Sequence, residues 1–106
     1  MPACKITVLK RQFFPELAAE YCRDPEVGLC HKVREGEVRV VDKDAYFSMT
    51  IPDGFCAEAW HAIAHYVYAV IQGGAIMAGW MKRDDVMIAC CNDGVRPVVF
   101  KLERID

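Results

Sequence analysis

The chain has 106 residues, 54% of them hydrophobic, with 13 basic and 15 acidic side chains and a formal net charge of −2. That length corresponds to one domain, residues 1–106, and lets it bury about two-thirds of its unfolded surface without a metal or disulfide. The basic residues are scattered as Lys10-Arg11, Lys32, Arg34 and Lys82-Arg83 rather than drawn into a stripe, which argues against a nucleic-acid partner.

The opening "MPACKITVLKRQ" has no long apolar core and no cleavage pattern, so no secretory signal is read and a cytoplasmic protein is expected. Within it, "CKITVLKR" alternates Cys4, Ile6 and Val8 with Lys5, Thr7 and Leu9, the pattern of a half-buried strand. "FFPELAAEYC" follows as a short helix. Pro15 suits its first position, and Leu17, Ala18 and Tyr21 share one side. "VREGEVRVVD" reads as a turn at Glu35-Gly36 and a second strand with Val38 and Val40 facing inward.

Residues 43 to 55 carry no clear period and are expected to be irregular, closing on the turn "IPDGF". The main helix is predicted from Cys56 to Gln72, with Trp60, Ile63, Ala64, Val67, Val70 and Ile71 as its apolar stripe and Gly73-Gly74 as its stop. From Ala59 to Met81 no residue is formally charged at neutral pH, a length that approaches a bilayer span. His61, His65, Gln72 and the glycine pair interrupt it, so no membrane partner is expected. "AIMAGWM" is unusually apolar for a connection and is expected under the sheet or against a second subunit.

The last segment, "IACCNDGVRPVVFKLERI", reads as a hairpin. A three-residue loop at Asn92-Asp93-Gly94 would pair Cys91 with Val95, Cys90 with Arg96 and Ile88 with Val98. Adjacent strand residues face opposite ways, so Cys90 is expected inward beside Ile88 and Cys91 outward. The order is β-α-β-α-β-β. The fold class is α+β, a small, mostly antiparallel sheet with helices on one face, either open or closed into a partial barrel.

Six cysteines, at 4, 22, 30, 56, 90 and 91, make the chain cysteine-rich. With no signal peptide they are expected as free thiols in a reducing compartment. The sequence demands no cofactor. Zinc or iron would enter through Cys22, Cys30, His31 and Cys56, but that spacing is wider than a metal knuckle uses. His61 and His65, four apart, have the spacing of a ligand pair but lack a third partner; a polar or interface-facing helix side is the simpler account. Cys56 stands at a helix start, where free N–H groups favour an anionic thiolate. Arg96 has two readings: it binds an anion, or it ties down its own turn.

"KITVLKR", "EYC", "EGEVRVVD", "PDGFCAEAW" and "ACCNDGVRPVVFKLERI" together resemble a family of small prokaryotic proteins, common in anaerobes, that has no assigned activity. The resemblance covers nearly the whole chain and implies a stand-alone cytoplasmic protein. Cys56, Cys90, Asp93, Gly94, Arg96 and Pro97 match its "GFC" and "ACC-DG-RP" motifs. The candidate ligand-binding residues are therefore Cys56, Cys90, Cys91, Asp93 and Arg96.

Two functional readings follow from the residues. One is a non-catalytic binding module that self-associates as a homo-oligomer through the apolar helix face and "AIMAGWM", where Met77, Trp80 and Met81 would be the anchors. The excess of apolar residues for so small a domain points the same way. The other is a thiol-based redox or metal-binding protein using Cys56 with Cys90 or Cys91 near Arg96. A small-molecule ligand is compatible with both. The residues do not say whether the protein is an enzyme.

Overall fold

The computed structural model describes residues 1–48 and 51–106. Its elements are β1 (Ala3–Arg11), α1 (Pro15–Tyr21), β2 (Val38–Asp42), α2 (Lys43–Ser48), α3 (Ala57–Ile71), β3 (Val86–Cys90) and β4 (Val98–Ile105). The strands form one antiparallel sheet in the order β2-β1-β4-β3. The two outer strands, β2 and β3, do not pair, so the sheet is open rather than a barrel. The fold is α+β.

One face of the sheet is the core. Ile6 lies across from Leu102 and Leu102 across from Met87; Val8 lies across from Phe100. All five are buried, as are Cys4, Val41 and Val98 on the same face. Helix α3 covers them with Ala59, Trp60, Ile63, Val67, Val70 and Ile71, the spacing of a helix with one apolar side. Ala64, expected in that stripe, is only half-buried. Each fully buried Ile, Leu or Phe here contributes about 1.5–3 kcal/mol of transfer free energy. The helix ends as its glycines predict: Gly73 takes φ +87°, and the Gly74 N–H donates to the Ala69 carbonyl at 2.8 Å.

Several expectations are corrected. Val38 and Val40 point away from the core and are 42% and 55% exposed, while Val41 is the buried residue of β2. Val41 pairs with Cys4, whose core position fixes the parity of the whole strand. Residues 43–48 are not irregular but form α2, started by Asp42, whose carboxylate accepts the Ala45 N–H at 2.8 Å. Tyr46 of α2 stacks on Tyr68 of α3 at 5.1 Å. Met49 and Thr50, within the same expected irregular stretch, lie outside the described residues. The turn Pro52 to Phe55 is present, with Gly54 at φ +74°.

In α1 only Ala18 of the expected apolar side is buried; Leu17 and Tyr21 are exposed. The "AIMAGWM" connection does not pack under the sheet. Met77 touches the core, but Trp80 is 75% exposed. Among the described residues no helix is long and apolar enough to cross a membrane.

The hairpin differs most. Cys90 pairs with Val99, Ala89 with Phe100 and Ile88 with Lys101. Ile88 therefore belongs to the outer face, and so does Cys90, which is exposed; Cys91 turns inward and packs against the core. Val98, Phe100 and Leu102 face in as expected. The register shifts because the loop is longer than a three-residue turn. Residues 95–97 are claimed by the other side of the sheet: Gln12 N–H donates to the Pro97 carbonyl and Phe14 N–H to the Val95 carbonyl, each at 2.9 Å. Those two bonds continue the β1–β4 ladder past the end of both strands.

Cys4, fully buried beneath α3, has its thiol pushed up to about 12 by burial, against an ordinary 9.0. Above about pH 9 the unfolded chain loses this proton while the folded chain keeps it, so the stability it confers is complete below 9 and lost as pH rises towards 12. Chemical unfolding followed from pH 9 to 12 is expected to show a falling midpoint, and Cys4→Ala is expected to flatten that fall. An equally steep fall in the variant would contradict the assignment.

Candidate functional site

The site begins with an irregularity in β1. Val8 pairs with Phe100, but Lys10 pairs with Val99 and Arg11 with Val98, so a bulge at Leu9 breaks the alternation. Without it, Lys10 would stand across from Val98. With it, Arg11 does, and residues across a ladder share a face. The bulge thus delivers a guanidinium to the buried side of the sheet at the rim. There Arg11 Nη1 donates to the Cys30 carbonyl at 2.8 Å, and its Nε and backbone N–H donate to the two oxygens of Glu35 at 3.0 and 3.1 Å. The Glu35 carboxyl is held below the ordinary range by its own backbone N–H and by Arg11.

A second arginine grips the adjacent carbonyl. Arg96 Nη2 donates to the Leu29 carbonyl at 2.9 Å and lies 3.0 Å from His31 Nδ1. For that contact to be a hydrogen bond, His31 accepts through Nδ1 and carries its proton on Nε2. Arg96 is aimed by its own loop, where Asp93 Oδ1 accepts the N–H groups of Val95 and Arg96 at 2.9 and 3.1 Å. Asn92 Nδ2 reaches the Glu58 carbonyl at 3.3 Å and ties the same loop to the first turn of α3.

These contacts bring the irregular segment between α1 and β2 against the end of the sheet and leave a cavity of about 400 Å³. Its apolar lining is Val33, Ala59, Val98 and Phe100. Three free thiols open onto it, Cys30, Cys56 and Cys91, with the polar groups of His31, Lys32, Glu58, Asp93 and Arg96. Cys56 is the N-cap of α3 and makes no side-chain cap hydrogen bond. Cys91 Sγ accepts the Val98 N–H at 3.3 Å, while its own N–H donates to the Val98 carbonyl at 3.1 Å.

Of the five residues singled out from the sequence, Cys56, Cys91, Asp93 and Arg96 line this cavity and Cys90 does not. Cys90 lies on the opposite face, and partial burial together with its neighbour Cys91 pushes its thiol up. The Arg96 side chain does not tie down its own turn; it holds a neighbouring loop. Cys30, His31, Lys32 and Glu58 were not among the five. Cys30 and His31 drew attention as a metal motif, yet nothing local in "GLCHK" signals that two distant arginines hold it.

The zinc grouping is not assembled: Cys22 is not part of the cavity, and among the described residues no three His, Cys, Asp or Glu side chains form a metal-ligand group. His61 and His65 are both exposed on α3, His61 lying 4.0 Å from Glu58 and His65 resting on Tyr66. Comparison of the chain with protein-family models, with curated proteins and with solved structures gives no match in any of the three.

Proposed function

We propose that the protein is a small binding module whose ligand occupies the cavity between the start of α3, residues 30–33 and the loop from Cys91 to Val98. One observation carries this reading: a space of about 400 Å³ with an apolar floor and a few convergent polar groups. That size and that mixture are usual for small-molecule sites. The reading keeps the protein non-catalytic and cytoplasmic. Three thiols in the lining, Cys30, Cys56 and Cys91, also support a thiol-dependent version of it, in which Cys90 takes no part.

Self-association is a second reading, favoured by Trp80 at 75% exposure and Ile76 at 38% on the connection between α3 and β3. The α3 stripe is occupied by the domain's own sheet, so this connection is where a second copy would seat.

For the first reading, small aromatic and aliphatic acids, amides and amines are screened by amide chemical shifts. Fragments are expected to move the amides of Val33, Ala59 and Val98, and Ala59→Phe, which fills the space, is expected to abolish those shifts while the chain stays folded. No fragment moving these amides would end the reading. For the second, light scattering is expected to find a dimer or larger species that Trp80→Ala dissociates; a monomer at high concentration would end it.

A further inference from the structure

We infer that the cavity takes the oxyanion group, carboxylate or phosphate, of a small molecule with an apolar body; this rests on the cavity being a ligand site. The charges around it point that way. Arg96 lines the cavity and makes no ion pair among the described residues. Among the described residues its Nη2 meets a carbonyl and an imidazole, and its Nε is buried with no acceptor. A guanidinium beside apolar walls without a carboxylate partner is an under-compensated cation, and an oxyanion is its usual complement.

Two carboxylates also line the cavity, and neither forms an ion pair with Arg96. Asp93 Oδ1 is committed to the amides of Val95 and Arg96. The Glu58 side chain is 71% exposed and lies beside His61, so water screens it. The first intrahelical bond of α3 runs from the Trp60 N–H to the Cys56 carbonyl, which leaves the amides of residues 57–59 without intrahelical acceptors. Among the described residues no side chain caps them, and Cys56, Glu58 and Ala59 from this turn line the cavity. The helix dipole therefore adds to the arginine rather than opposing it. Phe100, Val98 and Val33 supply the apolar surface against which the body of the ligand would lie.

The test is titration of benzoate, phenyl phosphate, benzamide and benzylamine into the isotope-labelled chain, with amide shifts mapped to residues. One of the two anions is expected to bind at least about tenfold more tightly than benzamide, about 1.4 kcal/mol, with benzylamine weakest and the shifts centred on residues 30–33, 57–59 and 96–98. Which anion binds better tells a carboxylate ligand from a phosphate one. Cys56→Asp places a carboxylate at the uncapped helix start. It is expected to raise the thermal midpoint and to remove the preference for anions over benzamide. Benzamide binding as tightly as the better of the two anions, or anion shifts mapping elsewhere, would overturn the oxyanion assignment and leave the cavity reading standing. No binding by any of the four would overturn the cavity reading itself.

Discussion

The bulge at Leu9 is the constraint on which the rest of the site depends. One extra residue in β1 exchanges Lys10 for Arg11 across from Val98. A lysine would bring a point charge on a flexible stem; arginine brings a rigid fork that satisfies several acceptors at once. Arg11 uses it on the Cys30 carbonyl and the Glu35 carboxylate together. The long connection between α1 and β2 has no helix or strand of its own, so its backbone groups need partners from outside. Arg11 and Arg96, from opposite ends of the chain, take two successive carbonyls, Cys30 and Leu29.

The consequence for chemistry is convergence. Cys30, Cys56 and Cys91 belong to a loop, a helix start and a strand end, and each reaches the cavity for a separate reason. The arginines position Cys30. The end of the apolar stripe positions Cys56 as the residue before α3. The departure of Cys91 from the ladder, with its sulfur taking the Val98 N–H, positions the third. The sheet supplies the floor through Val98 and Phe100, so the same residues that stabilise the fold shape the cavity.

What was legible in the sequence follows the range of the interactions involved. Strand β1 and helix α3 are written in local periodicity, and the α+β class follows from them. The inward set Val98, Phe100 and Leu102 is legible for the same reason. Helix α2 carried a readable start signal in Asp42, obscured by a segment too short to show a period. Cys90 and Cys91 face opposite to expectation because turn chemistry at Asn92-Asp93-Gly94 is a local signal, whereas Gln12 and Phe14 set the actual register from more than eighty residues away. The parity of β2 likewise depended on its pairing with Cys4, not on its own alternation. In the candidate site, Arg96 and Cys56 stood out by type and position. Cys30, His31 and Lys32 join them only through side-chain bonds spanning the chain, for which no local pattern exists.

The most direct test is the contact between Arg96 and His31, sixty-five residues apart in sequence and 3.0 Å apart in the fold. A nuclear Overhauser measurement on the isotope-labelled protein is expected to show strong cross-peaks between the Arg96 side chain and the His31 ring. Their absence in the folded protein, with the β1–β4 ladder intact, would contradict the two-arginine clamp and with it the cavity.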